Sequence, residues 1–347
     1  MIREAIAHIV AGATLSEDEA AAVMEEIMSG VATQAQMGAF LTALRLRPGG
    51  ETVAEIAGLA RIMREKAVQV HLVERVSTHA LDTCGTGGDG AGTFNVSTAA
   101  GILAAAAGAS VAKHGNRSAT SLCGSADVLE ALGARIDLGP EQVARCVQEV
   151  GFGFMFAPAY HPAMKHVGPT RREIGIRTVF NILGPLTNPA HARYQVLGVA
   201  DGSLLRKMGE VLLHLGCQHA LIIHGEDGID ECSLSAPTRI CEVRSGQELR
   251  EYVITPEEVG LTSITDHQPF HGGDPAYNAS MLRSLLSEYK ADPATDMVCL
   301  NTGAALLANE QVASLREGIN LARATLQDGK AKQKLQDVIA CSRALSS

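Results

Sequence analysis

The stretch DTCGTGGDGAGTFNVST, residues 82–98, brings Gly85, Gly87, Gly88, Gly90 and Gly92 within eight positions and follows them with Thr93, Asn95, Ser97 and Thr98. Bare backbone lets N–H groups come close to a ligand, and small hydroxyl and amide side chains add further donors. That combination suits an anion, with phosphate the first candidate. Gly85, Gly87 and Gly90 also satisfy G-x-G-x-x-G behind a short strand, so a dinucleotide-binding turn has to be weighed. Such a turn uses an acidic residue about 20 positions further on to hold a ribose. Residues 99–126 contain neither Asp nor Glu. A Walker A loop is excluded more simply, because G-K-[ST] occurs nowhere. On this stretch alone, phosphate binding, a structural glycine turn and a nicotinamide cofactor all stay open.

Three further clusters bear on the choice. KHGNRSATSLCGSADVLEALG sets Lys113, Asn116, Arg117, Ser118, Thr120, Ser121 and Ser125 just before a helix. A phosphorylated ligand would use such donors together with the favourable end of the helix dipole; the plainer alternative is a loop capped by its own serines. Two loops of this kind joined by one strand-helix unit favour phosphate over either alternative. HGEDGIDECSL places Asp230 and Glu231 after an apolar strand and a glycine turn. Paired carboxylates are hard oxygen ligands for Mg2+, which bridges protein acids to phosphates and keeps some of its waters, although a merely solvated acidic turn has the same sequence. GPTRREIGIRTVFNILGPLTNP carries Arg171, whose guanidinium fork suits a carboxylate or phosphate, against the alternative of a solvated Arg171-Arg172-Glu173 helix face.

The elements that must position these residues change character along the chain. The first seventy residues read as helices. Capping boxes at Ser16/Glu19, Thr33/Gln36 and Thr52/Glu55 open three of them, and RPGGE breaks the last two apart. From residue 79, short apolar runs alternate with Ala-rich helices: HALDTC, STAAGILAAAAG, SVAKHG, SADVLEALG and RIDL, then YQVLGVA, a helix over 203–215, HALIIHG and RICEV. That alternation predicts an α/β domain around a largely parallel sheet. The expected division is a helical domain at 1–72, with a returning segment near 165–190, and an α/β domain at 73–347.

Composition narrows the class. The 347 residues are 46% hydrophobic and 19% charged, enough for a packed core, and the formal net charge of −9 argues against a general binder of nucleic acid or anionic membrane. The eight cysteines form no C-x-x-C pair and no metal spacing with the twelve histidines, so buried reduced thiols are expected rather than zinc or disulfides. The N-terminus meets acid within four residues, and no apolar run approaches the ~18–20 residues of a membrane span; a cytoplasmic protein is expected.

Taken in order, GTGGDGAGTFNVST, KHGNRSATS with GSADVLEALG, RREIGIRTVFNILGPLTNP and DGIDE closely resemble the anthranilate phosphoribosyltransferase family, over essentially the whole chain to about residue 340. The resemblance implies the nucleoside phosphorylase / phosphoribosyltransferase fold, with a small N-terminal α-helical domain hinged to a large α/β domain with a mainly parallel central sheet. It also implies a homodimer paired through the helical domains. The implied reaction moves the phosphoribosyl group of 5-phosphoribosyl 1-diphosphate (PRPP) to the amine of anthranilate, with Mg2+, in tryptophan biosynthesis. By position, Gly85 resembles the residue shared by both substrates. Gly88, Asp89, Thr93, Asn95, Val96, Ser97 and Thr98 resemble the PRPP contacts around the glycine loop. Lys113, His114, Gly115, Asn116, Arg117, Ser118, Ala119, Thr120 and Ser121 resemble the long PRPP loop, and Ser125 its outlying serine. His114, Asn116 and Arg171 resemble anthranilate contacts, and Ser97, Asp230 and Glu231 the magnesium ligands. No dedicated acid or base is implied; Lys113 and Arg171 would act by electrostatics and positioning. A separate complex with anthranilate synthase is compatible with the absence of a fused amidotransferase. The rivals are a pyrimidine nucleoside phosphorylase of the same fold and a non-catalytic nucleic-acid-binding relative; the intact loops favour the transferase, and the negative charge and acidic pair count against the latter.

Overall fold

The computed structural model describes residues 1–118 and 121–345; Ala119 and Thr120 of the second loop lie outside the described residues. Four helices, α1 (Ile2–Val10), α2 (Glu17–Met28), α3 (Gln34–Leu46) and α4 (Val53–Glu65), form the N-terminal lobe. All three anticipated capping boxes are present at the starts of α2, α3 and α4. The third does more than cap. Glu55 is fully buried, accepts the N–H groups of Thr52 and Leu15 at 2.8 Å each, and takes a two-point ion pair from buried Arg47. A buried carboxylate is tolerable because a guanidinium and backbone donors satisfy its oxygens. The chain returns to this lobe at Gly168–Ile174, whose Thr170 and Ile174 side chains lie against Gly38 of α3.

The second lobe is built on a seven-stranded sheet in the order β3-β2-β1-β4-β5-β6-β7. Its strands are β1 (Ala80–Gly85), β2 (Ser110–Gly115), β3 (Phe152–Phe156), β4 (Tyr194–Gly198), β5 (His219–Gly225), β6 (Thr238–Arg244) and β7 (Arg250–Ile254). The first five in this order run parallel, and β6 and β7 add an antiparallel edge. The mainly parallel sheet therefore stands as expected, with one correction. RIDL is not a strand: Ile136 and Leu138 bury their side chains within an irregular link between left-handed Gly133 and extended Gly139, so the alternation gives burial without a ladder.

One apolar cluster runs from α1–α4 through Val179–Leu186 to β4, β5 and the Leu205–His214 helix, so the two lobes share packing. On another side, the helices Val96–Ala106, Pro275–Ser287, Pro293–Ala308, Leu315–Gln327 and Lys330–Ala344 contribute to a second core. Pro293–Ala308 is its centre: every residue from Met297 to Ala308 is buried, and Gly303 meets Gly318 of the next helix so closely that a Cβ on either would press on backbone. All eight cysteines are free, six of them buried. No helix among the described residues is long and apolar enough to cross a membrane.

Chain order reverses between β1 and β4: β2 lies on one side of β1 and β4 on the other. In open α/β sheets the crevice beyond the strand ends at such a reversal is where ligands bind. Gly85 and Gly198 face each other there, at the ends of β1 and β4.

Candidate active site

Gly85 and Gly198 are glycines for a visible reason. A Cβ on either would collide with Asp230, which reaches over the strand ends from beyond β5. Asp230 Oδ2 accepts the N–H of Gly87 at 2.7 Å. The next turns need positive φ, +65° at Gly87, +73° at Gly88 and +74° at Gly90, which L side chains adopt reluctantly. Arg177 donates from Nη1 to the Gly88 carbonyl at 2.9 Å and from Nη2 to the Gly87 carbonyl at 3.0 Å. Among the described residues, the N–H groups of Gly88, Asp89 and Gly90 have no acceptor. Three neighbouring free donors in a glycine turn form an anion-binding concavity.

The Val96–Ala106 helix starts beside this loop. Glu231 Oε1 accepts the Ser97 N–H at 3.2 Å, Asn95 Nδ2 donates to the Cys123 carbonyl at 3.0 Å, and buried Thr98 leaves Oγ1 without a partner. Val96 is buried, and Thr93 is bridged to His271 at the loop's far end. Lys113 rises beneath them from β2. It is 1% exposed, and its Nζ donates to the Thr83 carbonyl and reaches Ser97 Oγ at 3.5 Å, so it supports the loop from inside the protein.

The acids here are under electrostatic load. Burial, then the neighbouring Asp89 charge, pushes Asp230 up to about 6. Burial and Asp230 push Glu231 well above the carboxylate range, with Lys113 opposing. Asp89 Oδ2 is buried without a partner. A hard dication would relieve this repulsion. Among the described residues no three His, Cys, Asp or Glu side chains are arranged to hold a metal by themselves. The donor set nevertheless fits Mg2+, which takes one or two carboxylates and completes its shell with water and substrate phosphates.

The second loop is differently made. Arg117 pairs with Asp127 at 2.7 Å and Glu130 at 2.8 Å, Ser118 and Ser121 bond each other at 2.6 Å, and Asp127 also accepts the N–H groups of Ser118 and Gly124. Asn116 Oδ1 accepts the Arg117 N–H at 2.7 Å, and its carbonyl accepts Ser125 Oγ at 3.3 Å. Gly115 has no room for a Cβ because Ser125 Oγ stands against it. Arg171 makes no side-chain hydrogen bond to either loop among the described residues. Half-buried over the Phe180 ring at 5.5 Å, it has no carboxylate within ion-pair distance among the described residues, and burial holds its pKa below the usual value. His114 is buried, with Nδ1 facing the Gly184 carbonyl at 3.3 Å and its ring tilted on His161 at 5.0 Å. Burial, then His161, lowers His114 to about 3, and burial lowers His161 to about 4, so both are neutral near pH 7.

A glycosyl transferase family α/β-domain model matches residues 77–332, and the helical-bundle-domain model of the same family matches residues 3–67. The chain is 55% identical to anthranilate phosphoribosyltransferase of Chloroflexus aggregans, covering 99% of this chain and 98% of that one. The chain belongs to the anthranilate phosphoribosyltransferase family. The solved structure of that enzyme from Thermus thermophilus superposes with a TM-score of 0.90 at 45% identity, covering 98% of this chain and 99% of that one. The Saccharomyces cerevisiae enzyme in complex with PRPP and Mg also superposes at 0.90, with 27% identity over 99% of this chain and 98% of that one.

Within this family member, motif reading passed over Arg177, His161, Asp82 and Asn188. Buried Asp82 accepts Asn188 Nδ2 at 2.7 Å and the His114 N–H at 3.2 Å, tying β1 and β2 to the returning segment; burial raises its pKa to about 6. An acid in a buried strand position was the available signal for Asp82. Nothing local marks Arg177, whose partners are 89 and 90 residues away.

Proposed function

We propose that the crevice beyond β1 and β4 binds PRPP and that the chain transfers its phosphoribosyl group to the amine of anthranilate, yielding N-(5-phosphoribosyl)anthranilate and diphosphate for tryptophan biosynthesis. The observation that carries this reading is the meeting, at one reversal in strand order, of three free glycine-loop donors, a helix N-terminus and a buried acidic pair. The anomeric C–O bond to diphosphate breaks, a C–N bond forms, and the amine gives up one proton. An oxocarbenium-like centre needs a stabilised leaving group and a placed nucleophile more than it needs a base. The N–H groups of Gly88, Asp89 and Gly90 and the start of the Val96–Ala106 helix face the donor's charge, with Thr93, Asn95 and Ser97 beside them. Mg2+, when bound, supplies charge neutralisation for the diphosphate, and Asp230, Glu231 and Ser97 are the residues that would hold it. Lys113 supports these groups from below.

On the acceptor side, Arg171 and Asn116 hold the aromatic carboxylate and His114 forms a neutral wall. At about 3 and about 4, neither His114 nor His161 takes a proton near neutral pH. An arylamine attacks unprotonated, and its proton leaves afterwards to water or to the acceptor's own carboxylate. Asn116, Arg117, Ser118 and Ser121 of the second loop engage the donor by exchanging their internal bonds for ligand bonds. The division at residue 72 with a returning segment near 165–190, a homodimer through the helical lobe, a separate complex with anthranilate synthase and a cytoplasmic location complete the proposal. Exposed Val10 and Leu46, the last residues of α1 and α3, support pairing through that lobe.

The test is loss of anthranilate fluorescence on adding PRPP, with and without Mg2+, beside phosphorolysis assays with thymidine and uridine. Magnesium-dependent loss with one diphosphate released per turnover is expected. Phosphorolysis without that loss would make the acceptor wrong.

A further inference from the structure

Arg177 lies in the GPTRREIGIRTVFNILGPLTNP stretch, where its residue type alone signals no role, yet it makes a specific contact with the donor loop. It sits on the connector between the Gly168–Ile174 helix and Phe180–Leu183, and both ends of that connector are fixed: Gly175, at φ +67°, donates to the Arg171 carbonyl, and Thr178 donates to Asn181 Oδ1 at 2.9 Å. The side chain is exposed and, among the described residues, has no carboxylate partner within ion-pair distance. Instead the two arms of its fork take the carbonyls of adjacent residues. Gly88 is required for that approach, since a Cβ there would occupy the position of the guanidinium.

We propose that Arg177 is a positioning residue that orients the glycine loop for the donor and ties it to the segment carrying Arg171; this rests on the functional reading above. The physical reason is peptide planarity. When the Gly87 and Gly88 carbonyls are held on one side, the N–H groups of Gly88 and Asp89, in the same two peptide planes, point to the other. The left-handed turn at Gly87 and Gly88 keeps those two N–H groups on one face. Arg177 thus acts on the donor through the loop rather than by touching it, and a point-charge ammonium cannot bridge two carbonyls at fixed spacing as a planar fork does.

Three variants and two readouts test this. Arg177→Ala is expected to raise KM for PRPP about tenfold or more, the loss of charge-assisted hydrogen bonds, with KM for anthranilate within about twofold of wild type. Exchange of the hydrogen-bonded Thr86 and Gly87 amides of the ligand-free protein should be faster in this variant, and exchange in the buried Pro293–Ala308 helix unchanged. Arg177→Lys should resemble Arg177→Ala on both readouts. Gly88→Ala, which displaces the guanidinium, should reproduce the faster loop exchange. The inference is overturned if Arg177→Lys retains wild-type KM for PRPP, if both substrates weaken equally, or if KM for PRPP rises while loop exchange stays unchanged, which would make Arg177 a direct donor contact. Failure of the wild-type protein to consume anthranilate would instead defeat the functional reading, and the exchange comparison would still decide the role of Arg177.

Discussion

The loop after β1 and the loop after β2 read alike in sequence, both rich in glycine and small polar residues, but they fold on opposite terms. In the first, the N–H groups of Gly88, Asp89 and Gly90 stay free, Arg177 holds the carbonyl side, and Asp230 and Glu231 crowd against the turn. In the second, Arg117, Ser118, Ser121 and Gly124 are satisfied by Asp127, Glu130 and one another. The first is preorganised and carries its electrostatic cost before any ligand arrives; the second is relaxed and must break bonds to engage. Preorganised donors act without reorganising during the reaction, which is where catalytic stabilisation is greatest. The first loop should therefore govern turnover, and the second affinity and closure.

The largest expected effect comes from removing the load on the first loop. Asp230→Asn with Glu231→Gln should lower turnover about 100-fold or more and flatten its Mg2+ dependence. The same variant should melt higher than wild type without metal at pH 8. Asp230, at about 6, lies above its unfolded value, so the penalty for its charge is full above that pH and fades as pH falls through it. The melting advantage should shrink toward pH 5, and in wild type the acid limb near pH 6 should move lower as Mg2+ saturates. An unchanged metal profile would mean that the acids belong to the fold alone. Next in size, Arg171→Ala should raise KM for anthranilate about tenfold to a hundredfold with little effect on PRPP, since its side chain is hydrogen-bonded to neither loop among the described residues; equal loss for both substrates would misplace the acceptor. The smallest effect is expected from Asp127→Asn, which loosens a partly exposed pair worth at most about 1 kcal/mol. It should lower the melting temperature by a few degrees and shift KM for PRPP by no more than about threefold. A loss of turnover as large as in the acidic double variant would break the distinction between the loops.

Local rules carried much of the fold. Ser16, Thr33 and Thr52 with their partners marked three helix starts correctly, because a capping box is satisfied within four residues. The apolar runs of β1, β2, β4, β5 and β6 were legible for the same reason. The strand Phe152–Phe156 was not: FGFMF is short and glycine-interrupted, and Gly153 is needed because Val143 and Val147 press against it. The edge strand Arg250–Ile254 alternates too weakly to stand out, and RIDL has the burial of a strand without its ladder. At the site, residue types signalled an anion, but whether a donor would be free or already satisfied depended on Asp127 and Arg177 acting across space.

The Pro293–Ala308 helix has a consequence for how the chain reaches this structure. With Met297–Ala308 buried throughout and backbone packed against the next helix at Gly303 and Gly318, it has no polar face to offer water while it waits. A chain emerging from the ribosome therefore has the residues of β1, β2 and the glycine loop long before the helix that covers Val96–Ala106 exists. During synthesis all seven strands leave the ribosome before that helix does, so until it arrives the apolar surface it covers is left for chaperones and other nascent chains to meet.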